Sequence, residues 1–197
     1  DRKAFAAALV DEANVRALAQ ALGYTESIQC SYVTLGREFI YTLQGTESTV
    51  GTLSGTVKSY NSTTDPVTVQ LFKSGSSAAA YTTTVKGNSA SYTISGVASG
   101  TYTMKVSKKN HVTREYTVSV TTGTKTQNAQ IHLLGDVNLD GIVNIKDCSR
   151  LFKHVNKTQL LTDAYALKCA NTNGDSAVNI KDCSRLFKHV NKTQLLW

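Results

Sequence analysis

Asp136, Asn138, Asp140 and Asp147 stand at positions 1, 3, 5 and 12 of one stretch, and Asn171, Asn173, Asp175 and Asp182 stand at the same positions of another. Oxygen donors at this spacing suit a hard cation, which needs six to eight oxygens around it. In a 12-residue calcium loop the side chains at those positions ligate, a backbone carbonyl comes from position 7, and position 9 contributes through water. The first stretch therefore offers Asp136, Asn138, Asp140, the Ile142 carbonyl, Asn144 and Asp147, with Gly141 at the sharp turn of position 6. The second offers Asn171, Asn173, Asp175, the Ala177 carbonyl, Asn179 and Asp182, with Ser176 at position 6. Position 12 is Asp in both, and its shorter stem requires the backbone to come closer than a Glu would. The second stretch keeps two carboxylates against three, and a left-handed Ser176 would cost about 1–2 kcal/mol. Two Ca2+ sites are expected, the second weaker. Asx and Gly clusters by themselves make ordinary turns. Two copies with donors in phase, each opening a helix, argue against that plainer reading.

Those donors need a frame, and a repeat supplies it. Val143–Leu161 and Val178–Leu196 are the same 19 residues, VNIKDCSRLFKHVNKTQLL, at an offset of 35. Cys148, Leu151, Phe152 and Val155 recur at i, i+3, i+4 and i+7, the pattern of a buried helical stripe. Lys146, Arg150, Lys153 and Lys157 form a basic stripe on another face. The second copy repeats both stripes with Cys183, Leu186, Phe187 and Val190, and with Lys181, Arg185, Lys188 and Lys192. A core requires only that apolar character be kept, yet the exposed residues are duplicated as well. Cys148 and Cys183 are expected to behave as small buried hydrophobes rather than as a disulfide.

Residues 135–197 closely resemble a type I dockerin. The matching elements are the two loop-plus-helix segments, the D-x-N-x-D-G-x-V-N-I-x-D loop and the connecting helical stretch Thr162–Lys168. The resemblance implies calcium-dependent folding into paired F-hand motifs and tight binding to a cohesin module on a scaffoldin, in a secreted, extracellular, cellulosome-like assembly. It places the partner contacts at Ile145, Lys146, Arg150, Phe152, Lys153 and Lys157, and at Ile180, Lys181, Arg185, Phe187, Lys188 and Lys192. Phe152 thus belongs both to the buried stripe and to the contact set, and both readings stand at this point. Identical helices about a pseudo-twofold axis would allow either copy to engage one cohesin. Asn171 and Ser176 depart from the family loop and put occupancy of the second site in question. Trp197 is expected to pack near Leu133 and Leu134, clasping the two ends of the module.

The remaining residues differ in character. Of 197 residues, 21 are Lys or Arg and 14 are Asp or Glu, for a net charge of +7. By segment the charge is −2 over 1–49, +6 over 50–134 and +3 over 135–197, which supports separate modules. Residues 50–134 are rich in Thr, Ser, Val, Tyr and Gly. Strand patterns recur at Thr52–Ser59, Val67–Lys73, Tyr81–Val85, Ser91–Ile94, Thr101–Lys108, Glu115–Val120 and Gln127–Leu133, which predicts an antiparallel β-sandwich. The stretch Ile94-Ser-Gly96-Val97-Ala-Ser-Gly100-Thr-Tyr102 resembles the turn of carboxypeptidase-regulatory-like and Cna-B-like sandwiches, modules that usually act as stalks or spacers. Residues 1–49 read as a helix over Val15–Leu22, with Asp11 and Gly23 as caps, then a hairpin of Ile28–Val33 and Glu38–Leu43 around Gly36. That amount of chain makes a thin core, either the end of an upstream domain or a small cap.

The expected fold is multidomain: a small α+β N-terminal segment, an all-β Ig-like or prealbumin-like sandwich, and an all-α calcium-binding dockerin. The expected function is non-catalytic docking by a monomer, with any carbohydrate-active domain lying outside this chain. Carbohydrate binding by the sandwich is the alternative, through Tyr60, Tyr81, Tyr92, Tyr102 and Tyr116. A catalytic role for residues 1–49 ranks below that, because the segment is too short for a site by itself. His111 and His132 read as isolated. Nucleic acid is not expected as a partner, since acidic loops beside the basic helices would repel phosphates. No apolar run approaches the roughly 20 residues of a membrane span.

Overall fold

The structure is a computed structural model that describes Asn14, Ala17, Ala21 and residues 24–35, 38–47 and 49–197. Asn14, Ala17 and Ala21 are helical. The rest of the N-terminal helix expected over Val15–Leu22, with its caps, lies outside the described residues. Strands β1 (Tyr24–Leu35) and β2 (Glu38–Glu47) pair antiparallel, each longer than the hairpin strands read from sequence.

Two four-stranded sheets follow, facing each other across one core. The first contains β3 (Val50–Lys58), β6 (Ser89–Ala98), β9 (Gly123–Thr126) and β10 (Ala129–Gln130). The second is ordered β5 (Tyr81–Lys86), β4 (Pro66–Lys73), β7 (Gly100–Lys108), β8 (Arg114–Val120), all antiparallel. Alternation sends Val67, Val69 and Leu71 of β4 and Tyr102, Met104 and Val106 of β7 into the core. Each buried side chain of this size contributes about 1.5–3 kcal/mol. In β6 the alternation slips between Ile94 and Val97, where Gly96 takes φ +69° and the register against β3 shifts. A bulge there keeps both Ile94 and Val97 inward.

The seventh predicted strand, Gln127–Leu133, is shorter than expected: only β10 lies within it, β9 precedes it, and both run parallel to β3 rather than antiparallel. They occupy successive lengths of one edge, and the break between them is bridged by a side chain: Asn128 Oδ1 accepts the Thr56 N–H at 2.9 Å. Two glycines make the approach possible. A Cβ on Gly51 would lie 1.9 Å from the Thr121 carbonyl oxygen, and one on Gly55 would lie 2.0 Å from that of Gln127.

Three helices complete the chain: α1 (Ile145–Val155), α2 (Ala164–Ala170) and α3 (Ile180–Val190). Asn144 and Asn179 cap α1 and α3, each in a capping box closed by Asp147 or Asp182. Asp163 caps α2 by accepting from the backbone of Tyr165 and Ala166. Leu151, Leu186, Cys148, Cys183, Ala166, Ala170, Val137 and Leu161 form a second core. Phe152 and Phe187 are not in it. They are 54% and 52% exposed, so the four-residue stripe read from sequence is really narrower. Cys148, Cys169 and Cys183 are free thiols, and burial pushes that of Cys148 up to about 11.

The sandwich and the helical unit are in contact. Tyr165 of α2 donates its hydroxyl to the Val112 carbonyl at 2.6 Å and accepts the His132 N–H at 2.9 Å. Gly135, at φ +96°, joins them; a Cβ there would meet Leu186 at 2.9 Å and Leu196 at 3.0 Å. Lys108 is buried and donates to Ser59, Asn88 and the carbonyls of Tyr60 and Ser62, which holds the turn that presents Tyr60. His111 Nε2 accepts the Tyr60 N–H at 3.1 Å, so its ring is neutral, and Nδ1 donates to the Lys109 carbonyl. Burial lowers the His111 pKa below its ordinary value, with the Lys108 charge acting the same way. A depressed histidine pKa means that the unfolded chain binds more protons, so stability rises with pH through that window and is lost on acidification. Urea melts between about pH 7 and pH 5 should therefore show falling stability. The same melts on His111→Gln should show a flatter profile, and an unchanged slope would refute the assignment.

Candidate functional site

Asp136 and Asp147 are fully buried, at 0% exposure. Asp147 opens α1 and collects backbone donors: Oδ1 accepts from Val137 at 2.8 Å and Asn138 at 3.1 Å, and Oδ2 from Asn144 at 2.9 Å. Burial raises its pKa, and the nearby Asp136 charge adds to that against the pull of the backbone donors. Asp136 Oδ2 accepts the Gly141 N–H at 2.9 Å and the His132 Nδ1–H at 2.7 Å. Asp140 accepts from Ile142 N–H and from the Asn138 amide, both at 2.9 Å. Leu139 and Gly141 turn the loop with φ of 60° and 93°. Asn144, expected to contribute through water, also points its side chain at its own helix, accepting the Lys146 N–H at 2.8 Å.

This donor set fits a divalent cation. Among the described residues, the ion pairs put no Lys or Arg on Asp136, Asp140 or Asp147. Buried charges are paired or coordinate metals, because an isolated one is costly. A cation held by Asp136, Asn138, Asp140 and Asp147 with the Ile142 carbonyl would supply the missing positive charge. Among the described residues no three His, Cys, Asp or Glu side chains form a metal cluster. The loop's oxygens come partly from amides and carbonyls, which such a cluster does not include.

The second loop is built differently. Asp182 is again buried and accepts from Asn173 and Asn179 N–H. Gly174 is left-handed at φ +74°, at the position of Leu139. Ser176 is not left-handed, so the strain expected at position 6 does not arise and the loop takes another path there. The Asn171 amide donates to the Asp175 carbonyl, and its oxygen accepts the Gly174 N–H. The Ala177 carbonyl, the expected position 7 donor, accepts from the Asn179 amide at 3.1 Å. The Asp175 carboxylate is exposed, and the Ala177 N–H lowers its pKa. The Asn171 side chain and the Ala177 carbonyl are thus engaged within the second loop itself.

The helices place the expected contact residues unevenly. Ile145, Phe152, Ile180 and Phe187 are 52–57% exposed and line a groove of about 390 Å3 between α1 and α3. Cys148, Ser149, Cys183 and Ser184 complete its lining. Both repeats contribute the same four positions, so the groove is symmetric in sequence. Lys146, Lys153, Lys181 and Lys188 are exposed. Lys157 and Lys192 follow the helix ends with φ 58°, away from the regular stripe. Arg150 is engaged: its guanidinium donates to the carbonyls of Gln159 at 2.7 Å and Leu160 at 3.0 Å. Arg185 is half-buried, and its Nε meets no acceptor. Trp197 packs against His189 with ring centres 4.5 Å apart and the rings tilted by 55°, and it shares a cavity with Leu133 and Val143, close to the expected clasp.

His132 is not isolated, contrary to the reading from sequence. The i, i+4 spacing of His132 and Asp136 was the available signal, but nothing in a single sequence says that the strand end turns back onto the loop. Nothing in the sequence placed Tyr60 or Tyr165 beside this loop. The five sandwich tyrosines are buried or half-buried. Tyr92 and Tyr102 are 2% exposed and donate to the carbonyls of Gln127 and Ala98. Such rings serve the core rather than a sugar-stacking platform.

Residues 134–191 match the family of the dockerin type I domain. Residues 51–134 match the family described as BOS complex subunit NOMO1-like, second beta sandwich domain. No curated protein matches the chain significantly. Among solved structures, an N-terminal interface mutant of a type II cohesin–X–dockerin complex from Acetivibrio cellulolyticus is 25% identical, with a TM-score of 0.34, and the match covers 71% of this chain and 94% of that one. A C-terminal interface mutant of the same complex is 26% identical, with a TM-score of 0.33 and the same coverages of 71% and 94%.

Proposed function

We propose that residues 135–197 dock the protein onto a cohesin module of a scaffoldin, with Ca2+ held in the two loops, and that residues 50–134 brace the docking unit. Residues 1–49 precede these two units as a third. The observation that carries this reading is the apolar groove formed by two identical helices within a segment that matches the dockerin type I family. An exposed apolar patch of this kind marks a protein interface. The exposed lysines at its rim suit an acidic partner face and predict an on-rate that falls with salt.

Asp136, Asn138, Asp140 and Asp147 would hold the first ion, and Asn173, Asp175 and Asp182 the second. Bound calcium supplies the charge that lets buried carboxylates stay ionised. The capping boxes at Asn144 and Asn179 then fix the first turns of α1 and α3, and with them Ile145 and Ile180. Because both repeats present the same groove positions, a cohesin can dock in two orientations related by half a turn. The reading is non-catalytic and places the protein outside the cell, as part of a cellulosome-like assembly. Among the described residues no helix is long and apolar enough to cross a membrane.

Calorimetry against a panel of cohesins, with and without calcium, tests the proposal. One cohesin should bind in calcium with sub-micromolar affinity, roughly 8 kcal/mol or better. Failure of every cohesin to bind in saturating calcium would overturn it.

A further inference from the structure

We infer that the sandwich completes the first calcium loop: His132 is a positioning residue for Asp136, and Tyr60 covers the turn at Gly141, so the two identical repeats carry unequal metal sites. This rests on the calcium reading of the loops. An ionised carboxylate only accepts hydrogen bonds, so His132 Nδ1 donates to Asp136 Oδ2 at 2.7 Å. With the Gly141 N–H at 2.9 Å, that oxygen has two short donors, while Oδ1 has only the longer bond from Asp140 N–H at 3.2 Å. The carboxylate plane is thereby set from the sandwich side, and Oδ1 keeps capacity for a cation.

His132 is itself held in place. It is 2% exposed, its N–H donates to Tyr165, and its ring lies 5.0 Å from that of Tyr60 and 6.1 Å from that of Tyr165. Tyr60 is fixed by a bond from the Gln130 amide at 2.6 Å and by His111 on its backbone. It lies so close to the loop that a Cβ on Gly141 would be 2.1 Å from its ring. The second loop has no such cover. The residue four places before Asn171 is Leu167 of α2, and Asp175 and Ser176 are exposed. The first site is therefore closed and oriented by the neighbouring module, and the second is open to solvent.

The test is calcium titration of the full chain by calorimetry, in an Asp175→Ala background that weakens the second site. His132→Leu should weaken the first site about 10- to 100-fold, the usual cost of losing a group that orients a ligand. His132→Asn, whose amide nitrogen can take the place of Nδ1, should stay within about threefold of the parent, a rescue that general loss of packing would not give. An unchanged constant in His132→Leu overturns the inference. If the unsubstituted chain takes up no calcium, the loop reading itself has failed. A second measurement leaves His132 unsubstituted: adding calcium to the Asp175→Ala chain should slow hydrogen exchange at the His132 amide at least tenfold. Exchange that calcium leaves unaltered there also overturns the inference.

Discussion

Chelating calcium should melt α1, α2 and α3 while leaving the strands of the sandwich folded, and cohesin affinity should fall by at least about a thousandfold. The helical unit is small. Its core is eight buried residues, two of them cysteines and two alanines. Modules below roughly 70–80 residues seldom draw more than about 3–5 kcal/mol from one core and need a staple. On the docking proposal the staple is the bound ion. Asp136, Asp147 and Asp182 sit at 0% exposure, and without a cation their charges oppose the fold. An ion that binds only the folded form adds about 2.7 kcal/mol at a hundredfold excess over its dissociation constant, and two ions add their contributions. Far-UV circular dichroism in excess chelator should lose most helical signal and regain it on adding calcium. Retention of the full helical signal would mean that apolar burial alone holds the unit.

Replacing Phe152 and Phe187 together by alanine should cost at least about thirtyfold in cohesin affinity, the scale of a buried aromatic anchor worth 2 kcal/mol or more. Either single replacement should cost about threefold or less. The reason is the duplication: if each orientation relies mainly on one copy, removing that copy leaves the other orientation intact. Both rings are about half exposed, so truncation opens no cavity and thermal stability should be unchanged. Calorimetry on the three variants decides the matter. Large and equal losses from the two single variants would show that one pose uses both rings, and would sink the two-orientation reading. The phenylalanines are a cleaner probe than the arginines. Arg150 braces the Gln159–Leu160 segment of its own repeat, so reversing its charge would disturb the fold as well as the surface.

Much of this was legible in the residues, and the exceptions have physical causes. The loops, the helices and the order of sandwich followed by helical unit were readable because spacing and periodicity are local properties. The double use of Asn144 and Asn179 was not separated, since calcium loops and helix caps favour the same small polar side chains. Phe152 could not be assigned to core or surface. Its i+4 position satisfies the apolar stripe, and only the packing of α1 against α3 turns it outward. The parallel course of β9 and β10 depends on two glycines in β3, which lie some 70 residues away in sequence. Position 6 of the second loop escaped as well: Gly174 turns the chain at position 4, as Leu139 does in the first loop, and Ser176 at position 6 is not left-handed.

The parallel edge of the sandwich bears on how the chain carries load. In a docked protein, tension from the preceding chain enters at Val50 and leaves beyond Gln130 toward the helices. β3 and the β9–β10 pair run side by side in the same direction, so these two ends are pulled oppositely along the strands. The bonds across that edge, among them Gln127 N–H to the Ser54 carbonyl at 2.8 Å and Ile131 N–H to the Lys58 carbonyl at 3.0 Å, are loaded in shear and share the force. An antiparallel final strand leaving from the end where β3 enters would instead peel, breaking its bonds one after another. On the docking proposal, the departure from the expected antiparallel sandwich would put a shear-loaded edge in line between the helical unit and the preceding chain.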